Sequence, residues 1–279
     1  MGLRVLSGAV AWSLVVAVPS PASGQAWAPG AASAAHGSSN RSFSDDITAV
    51  WDAFTHTLSA PGRWQSEDWL GFGLAATATT ASTTFEEDFR RAMQRSRGRV
   101  GDVLERVGFW YGTPWLTVPA SLLTYGAGAA FDSDGVRDTG LMMIDVMLLV
   151  GLVQQPLRMV AGRARPETGE EHFSFQPFTL ANDRASFLSG HAWIAFGISN
   201  VVARQIDQGW AYAALFSLAG ITAWSRLYAD KHWLSDVLAG SLLGYFTSTT
   251  VWRWYQDQQH ESDLSAVSSA PWIRFRLRF

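Results

Sequence analysis

The 279-residue sequence contains no cysteine, which excludes disulfide bonds, zinc–thiolate sites and a lipid-modified N-terminal cysteine. Charged residues are also scarce, at 16% of the chain against roughly 25% in soluble domains. Lys and Arg number 21 and Asp and Glu 24, so the formal charge is −3, without the basic surplus that indicates nucleic-acid binding. The chain is 48% hydrophobic and contains 14 tryptophans, yet its mean hydropathy is only +0.04. Composition alone therefore leaves both a membrane protein and a soluble helical protein open.

The first 24 residues have the features of a secretory signal peptide. Arg4 is their only charge, residues 5–18 form an apolar run, and Pro19 and Pro21 end that run before a group of small residues. A run of 14 residues is short for a membrane span, so an uncleaved anchor is the alternative. Either interpretation directs the chain to a bacterial-type cell envelope.

The rest of the chain divides into three parts. Residues 25–64 are predicted to be a flexible leader, rich in Ala, Gly and Ser, with a short amphipathic helix at 46–54. Residues 65–255 are predicted to form a helical bundle. Residues 256–279 are predicted to be a polar tail that ends in a strand-like peptide, 272–279, where basic residues alternate with aromatic and aliphatic ones.

Six apolar segments without strand-like alternation predict an all-α fold. They cover residues 69–85, 107–131, 139–157, 191–203, 208–225 and 237–252. The 25 uncharged residues of 107–131 are long enough to span a bilayer. We therefore expect a bundle of about six helices embedded in a membrane, with a soluble bundle as the alternative because several runs are shorter than 20 residues. Gly240 and Gly244 are expected to allow close helix packing.

The residues that carry chemistry begin with the stretch 225–236, Ser-Arg-Leu-Tyr-Ala-Asp-Lys-His-Trp-Leu-Ser-Asp. His232 and Asp236 are four residues apart, so on a helix they share a face. A carboxylate beside an imidazole fixes its tautomer and raises its basicity. Arg226 offers a guanidinium fork that suits an anion. The stretch thus supplies a nucleophile or base, its orienter and a phosphate clamp, although alone it also fits a helix start with a surface ion pair.

Two further stretches precede it, one from Arg158 to Arg165-Pro166 and one reading Ser-Phe-Leu-Ser-Gly-His at 186–191. In this order the three motifs resemble the type 2 phosphatidic acid phosphatase superfamily, whose pattern is Lys-x6-Arg-Pro, Pro-Ser-Gly-His and Ser-Arg-x5-His-x3-Asp. That superfamily includes lipid phosphate phosphatases, bacterial class A acid phosphatases and vanadium haloperoxidases. The resemblance covers about residues 65–252 and implies an active site at one end of the bundle, between the motif loops.

The resemblance implies a phosphatase that needs no metal or other cofactor, because arginines neutralise the phosphate charge. His232 would attack phosphorus and form a phosphohistidine, while Asp236 would accept a hydrogen bond from the other imidazole nitrogen. His191 would protonate the leaving oxygen and then activate water. The residues implied to bind the phosphate are Arg158, Arg165, Ser189, Gly190 and Arg226.

This sequence departs from the superfamily pattern at two positions. Arg158 stands where the superfamily has Lys, so a planar fork replaces a point charge, and we expect altered substrate choice rather than lost activity. Leu188 stands where the superfamily has Pro, which is expected to loosen the turn before Ser189 and to free a backbone N–H.

The expected substrate is a phosphomonoester or a pyrophosphate, first of all on a lipid whose chain lies in the membrane while its head group meets the arginines. The expected partners are thus a phosphorylated lipid or other phosphomonoester and the membrane, without nucleic acid. The expected location is the inner membrane with a periplasmic active site, although the arginine-rich segment 86–106 would favour the cytoplasmic side. Three alternatives stay open: a soluble periplasmic acid phosphatase acting on small phosphates, a vanadium haloperoxidase-like enzyme, and a non-catalytic protein that binds lipid phosphates.

Overall fold

The computed structural model describes residues 41–269, so the predicted signal peptide, the first part of the leader and the peptide 272–279 lie outside the described residues. Within residues 41–269 the regular structure is helical, which confirms the all-α prediction. The α-helices are α1 (Phe43–Ser59), α2 (Ser66–Ser82), α3 (Glu86–Arg95), α4 (Arg99–Tyr111), α5 (Pro114–Ala130), α6 (Asp134–Leu149), α7 (Gln155–Ala161), α8 (Gly190–Ile206), α9 (Gly209–Tyr228) and α10 (Leu234–Ser269).

Helix α1 is longer than the predicted segment 46–54 because the sequence supplies a strong start signal. The Ser42 hydroxyl accepts a hydrogen bond from the Asp45 backbone, and the Asp45 carboxylate accepts one from the Ser42 backbone, which together form a capping box. Asp46 then fixes α1 to the bundle, since its buried carboxylate accepts hydrogen bonds from Arg137 of α6 and, at 2.8 Å, from the Tyr125 hydroxyl of α5.

The predicted single span at 107–131 is wrong, because the chain leaves the helix in its middle. Helix α4 ends at Tyr111 and α5 begins at Pro114, whose fixed φ and missing N–H suit a first helical turn. Gly112 lies between them, and a Cβ atom there would come within 2.7 Å of the main-chain oxygen of His191. The break thus lets this corner approach the start of α8. In residues 41–269 we find no helix that combines the length and apolar character required to cross a membrane.

Helix α6 leads into α7 through a π-helical turn at Val150–Gln154. Pro156 in the first turn of α7 explains the irregularity, since proline has no N–H to give to the preceding turn. Four 3-10 segments complete the described part, at Ala60–Arg63, Thr83–Phe85, Pro166–Thr168 and Asn182–Arg184.

Helix α8 forms the centre of the bundle and packs against α6, α9 and α10. Its buried side chains include Trp193, which joins Met142 of α6 and Val251 of α10 in one apolar core. Gly240 and Gly244 bring α10 close to α8, as predicted, since Cβ atoms there would lie 2.3 and 2.4 Å from main-chain oxygens at the start of α8. This close contact places the beginning of α10 directly beside the beginning of α8.

Candidate active site

The three motifs meet at one end of the bundle through direct contacts. Arg163 of the first motif donates to Asp236 of the third at 2.6 Å. The backbone N–H of Ser189, in the second motif, donates to the Asp236 carbonyl at 3.0 Å. Ser186, also in the second motif, contacts His232 at 2.7 Å. Three segments separated in sequence therefore form one site at the starts of α8 and α10.

His232 is buried in the turn before α10, and its Nδ1 atom lies 2.7 Å from the main-chain oxygen of Ser186. A carbonyl oxygen only accepts hydrogen bonds, so Nδ1 carries the proton and Nε2 of the neutral ring keeps its lone pair. Burial lowers the pKa of His232 to about 4, against an ordinary 6.5, because a charged imidazole loses its hydration there. His232 is therefore neutral at pH 7 and presents an unprotonated nitrogen.

Asp236 supports this histidine less directly than the sequence predicts. Its carboxylate lies 3.9 Å from His232 Nδ1, beyond hydrogen-bonding distance, and that nitrogen uses the Ser186 carbonyl instead. The carboxylate accepts from the Ser186 hydroxyl at 2.5 Å, from the Trp233 backbone N–H at 2.9 Å and from Arg163. Burial by itself would raise the pKa of Asp236, but the charge of Arg163 and the hydrogen bond from Ser186 outweigh it, so the pKa lies below its ordinary value. Asp236 is thus an anion that holds the loop around His232 in place.

Arg163 is a buried residue of the site for which the sequence predicts no role. Its guanidinium donates to Asp236 and to Glu86, both at 2.6 Å, and to the Ser235 hydroxyl at 2.7 Å. The Glu86 carboxylate in turn accepts from the backbone of Ser235 at 3.0 Å. Because Glu86 lies 77 residues before Arg163 in the chain, no local spacing could have indicated the pair.

The three predicted phosphate-binding arginines differ in how far their charges are already compensated. Arg226 is paired with Glu105 at 2.7 Å and stacks over Phe109. Arg158 makes one long contact, 3.3 Å from its Nε atom to the Leu188 carbonyl. Arg165 Nη2 lies 3.3 Å from the side-chain oxygen of Asn182. The charge of Arg226 is thus already compensated, whereas Arg158 and Arg165 keep N–H groups that are free to bind an anion.

Two of these arginines lie close enough to influence each other. Burial first, and then the charge of Arg165, lower the pKa of Arg158 to about 10. Burial also lowers the pKa of Arg165, whose buried Nε atom has no hydrogen-bond partner among the described residues. Both groups remain protonated at neutral pH, so the site concentrates positive charge with unused donors, as an anion site requires.

The start of α8 adds donors of a different kind. Ser189 is the N-cap residue of this 17-residue helix, and in the described structure its buried hydroxyl has no hydrogen-bond partner. The positive end of a helix dipole and free backbone N–H groups at this point favour an anion. Gly190 follows, and a Cβ atom there would lie 2.5 Å from the side-chain amide of Gln154, so any larger residue would displace that amide.

His191 lies one residue further along α8, with its ring against that of Phe109 at a centroid distance of 5.3 Å. Its buried Nε2 atom also finds no hydrogen-bond partner within residues 41–269. Burial first, then the charges of Arg226 and of other neighbours, lower the pKa of His191 to about 3. In the free protein His191 is therefore neutral, and its pKa depends on how far the surrounding positive charge is compensated.

Leu188, which stands where the superfamily pattern has Pro, takes part in several contacts at the turn before Ser189. Its side chain is buried in the apolar core, and its carbonyl accepts from Gln154 at 2.7 Å as well as from Arg158. These contacts join the turn to α7 and to the π-helical turn before it. Gln154 belongs to the π-helical turn, and no sequence signal identified it as part of the site.

Comparison with known proteins gives one family match and two solved structures. Residues 140–260 match the family model of the PAP2 superfamily, which confirms the resemblance inferred from the three motifs. Among solved structures, the crystal structure of Aquifex aeolicus LpxE has 21% identity and a TM-score of 0.46, covering 61% of this chain and 95% of that one. The first transmembrane PAP2 type phosphatidylglycerolphosphate phosphatase from Bacillus subtilis has 18% identity and a TM-score of 0.50, covering 76% and 96%. At 18% identity, the similarity to the Bacillus subtilis enzyme concerns the fold alone. No curated protein matches the chain.

Proposed function

We propose that this chain, whose residues 140–260 match the family model of the PAP2 superfamily, is a phosphatase that works through a phosphohistidine intermediate. The observation that carries the proposal is the convergence of spare donors around one neutral histidine. Arg158 and Arg165 have unused N–H groups, and the Ser189 hydroxyl is buried without a partner among the described residues. The Nε2 atom of His232 keeps its lone pair in the same site.

The first step of the proposed reaction is binding of the phosphate group. A phosphate monoester carries up to two negative charges, which Arg158 and Arg165 neutralise. Arg226, whose charge Glu105 already compensates, adds hydrogen-bond donors. The Ser189 hydroxyl and the N–H groups at the start of α8 add hydrogen bonds to the same oxygens. Guanidinium groups and helix dipoles thus supply the electrostatic stabilisation that phosphoryl transfer requires.

In the next step His232 Nε2 attacks phosphorus, so that a P–N bond forms while the bond from phosphorus to the leaving oxygen breaks. His191 gives a proton to that oxygen. In the free protein His191 is neutral, with a pKa of about 3, and has no proton to give at pH 7. The arginines that surround it contribute to that low pKa. Bound phosphate offsets those positive charges and raises the pKa of His191, so its role as an acid begins only when substrate is present.

In the second half of the reaction a water molecule attacks phosphorus and the P–N bond breaks. His191, neutral after the first half, accepts a proton from that water, and inorganic phosphate leaves. Asp236 and Arg163 act on these steps through position. They hold the turn in which the Ser186 carbonyl keeps the proton of His232 on Nδ1.

For the substrate we propose a phosphomonoester or pyrophosphate on a lipid, at the cell envelope to which the predicted signal peptide directs the chain. The Bacillus subtilis protein of similar fold is a phosphatidylglycerolphosphate phosphatase, an enzyme named for a phosphorylated lipid, which supports this class. Large apolar side chains exposed on the surface, among them Trp69, Trp110 and Trp115, also favour contact with lipid.

Release of inorganic phosphate by the purified protein tests the proposal. Three proteins are compared: wild type, His232→Ala and His260→Ala. Each is given phosphatidic acid in mixed micelles or the soluble ester p-nitrophenyl phosphate, in excess EDTA. His260 is an exposed histidine in the second half of α10 and serves as the matched control. We expect release from the lipid by wild type and His260→Ala only, and an alkali-stable phosphate label on the protein that His232→Ala lacks.

Other outcomes of this assay contradict parts of the proposal. Release from the soluble ester alone would identify an acid phosphatase that acts on small phosphates. Equal rates for wild type and His232→Ala would remove the phosphohistidine mechanism. Phosphate binding without release from either ester would identify a non-catalytic protein that binds phosphorylated lipids.

A further inference from the structure

The segment between α7 and α8 carries an apolar surface. We name residues 173–180 the aromatic loop. Three of its side chains are largely exposed: Phe173 by 63%, Phe178 by 76% and Leu180 by 86%. Large apolar side chains grouped so closely in water favour an interaction site.

The aromatic loop is attached to the two arginines that have spare donors. The backbone N–H of Phe178 donates to the carbonyl of Met159 at 2.7 Å, and Met159 directly follows Arg158. On the other side of the loop, the Asn182 side chain accepts from Arg165. The exposed apolar side chains therefore lie beside the phosphate-binding end of the bundle.

The loop is rigidly braced. The backbone N–H of Gln176 donates to the carbonyl of Gly162 at 2.8 Å, and this approach needs glycine, because Gly162 has φ of +56° and a Cβ atom there would lie 1.8 Å from Gln176. Arg184 forms an ion pair with Glu170 at 2.7 Å and donates to Ser174 at 2.9 Å. These contacts stop the loop from folding its aromatic side chains back onto the protein.

Phe178 points outward although its backbone adopts a conformation that bulky residues disfavour. Its φ is +62°, a region that bulky residues rarely adopt. Such conformations persist where the surrounding structure over-determines them, and they cluster at functional sites. Leu157 and Val160 of α7, the helix to which the loop is tied, are also partly exposed and extend the apolar surface.

We propose that the aromatic loop docks onto a lipid surface, so that the phosphate of a lipid in that surface reaches Arg158 and Arg165. This proposal rests on the lipid form of the proposed function. The occupant is a lipid surface rather than one acyl chain, because side chains exposed by 63–86% form no enclosed wall around a chain. Separate apolar side chains next to cationic groups match the layered chemistry of an interface, where hydrocarbon lies beneath phosphate.

The absence of cysteine allows a direct test in the full-length protein, since a single introduced cysteine takes a fluorescent label uniquely. Phe178→Cys carries a polarity-sensitive dye, and Gln258→Cys carries it in the control. Gln258 is exposed on α10, roughly 36 Å along the helix from Leu234. On addition of phosphatidylcholine vesicles we expect a blue shift of the dye at position 178 and none at 258. Vesicle binding without a shift at 178 would overturn the proposal, as would the absence of vesicle binding.

A second test separates docking from recognition of a single chain. The variant Phe178→Ser with Leu180→Ser is compared with wild type on three substrates: phosphatidic acid in phosphatidylcholine vesicles, a short-chain phosphatidic acid below its micelle concentration, and p-nitrophenyl phosphate. We expect the rate on vesicles to fall by about tenfold or more, while the rates on both monomeric substrates stay unchanged. An equal loss on both lipids would show that the loop holds an individual chain and would overturn the proposal.

The two tests also distinguish this proposal from the proposed function. If wild type releases no phosphate from any substrate but its labelled loop still enters vesicles, the phosphatase function fails while the docking surface stands. If wild type is active on vesicles and the serine variant is equally active there, the docking surface fails while the phosphatase function stands.

Discussion

Arg163 and Asp236 form a buried ion pair in which the guanidinium Nη1 atom lies 2.6 Å from a carboxylate oxygen. The two side chains are 3% and 0% exposed, and the same guanidinium also holds Glu86. Through this pair, the loop that follows α7 is fixed to the first turn of α10. The position of His232 therefore depends on an arginine that touches no part of the proposed substrate.

We expect Arg163→Met to lower the free energy of unfolding by about 3–5 kcal/mol, because two carboxylates would remain buried without their cation. Arg91→Met is the matched control, since Arg91 is 56% exposed and forms its ion pair with Asp88 on the helix surface. That change should cost less than about 1 kcal/mol. Urea denaturation of both variants measures the difference, and equal losses would contradict a structural role for the buried pair.

Ser189→Ala should separate function from stability. The Ser189 hydroxyl is buried but has no hydrogen-bond partner in the described part of the chain, so its removal should change the free energy of unfolding by less than about 0.5 kcal/mol. Phosphate release should fall by about 10²-fold, because a donor to the phosphate is lost.

The matched control for this serine is Ser248→Ala in α10. Its hydroxyl is buried and accepts a hydrogen bond from Asn200 at 2.9 Å while donating to the carbonyl of Gly244. Its loss should cost about 1–2 kcal/mol of stability and leave the rate of phosphate release unchanged. Urea denaturation and phosphate assays on both variants test the contrast, and a stability loss at Ser189 as large as that at Ser248 would refute it.

Arg158→Lys and Arg158→Met test whether charge or shape matters at the first motif. Lysine keeps the positive charge and restores the residue of the superfamily pattern, so phosphate release should stay within about tenfold of wild type. Methionine removes the charge and should lower the rate by about 10²–10³-fold. If lysine proves as harmful as methionine, the planar fork of the guanidinium is essential. Rates on a monoester and on a pyrophosphate, measured side by side, show whether lysine also alters substrate choice.

The low pKa of His232 predicts how stability depends on pH. The unfolded chain binds a proton at this residue below pH 6.5, whereas the folded protein does so only below about 4. As pH falls from 6.5 towards 4, the free energy of unfolding should therefore decrease, with up to about 1.4 kcal/mol per pH unit from this histidine. His191, with a pKa of about 3, contributes in the same direction.

His232→Asn removes this contribution while its amide can still donate to the Ser186 carbonyl. Its free energy of unfolding should decline less steeply than that of wild type when urea denaturation is repeated at pH 6.5, 5.5 and 4.5. His260→Asn, at an exposed position, should follow the wild-type curve. Parallel curves for wild type and His232→Asn would show that the folded protein binds this proton as readily as the unfolded chain.

The parts of the site that the sequence predicts are those set by short spacings. His191 follows Ser189 by two residues and Asp236 follows His232 by four, so helix geometry and motif order were enough to indicate them. Arg163 and Glu86 were missed because their pairing joins distant segments. The hydrogen bond expected between His232 and Asp236 was replaced by one to the Ser186 backbone, which no side-chain pattern reports.

The same distinction holds for the fold. The absence of strand-like alternation indicated helices, but it did not indicate the break at Gly112, which lets the chain pack closely against the His191 backbone in a tertiary contact. The aromatic loop shows no apolar run in the sequence, because its exposed side chains, such as Phe178, are interspersed with Ser, Gln, Pro and Thr residues. Only the three-dimensional path of the chain brings them to one surface.

The π-helical turn at Val150–Gln154 sets the rotational phase of everything that follows it in the first motif. Each residue of an α-helix advances the chain by about 100° around the axis, so one residue more or less turns all later side chains to another face. Deleting one residue here would restore a regular helix while turning Arg158 by about 100° away from its place in the candidate site. The π-helical turn thus fixes the direction in which the side chains of α7 point relative to α6. The site depends on the number of residues in this turn more than on the identity of its apolar residues.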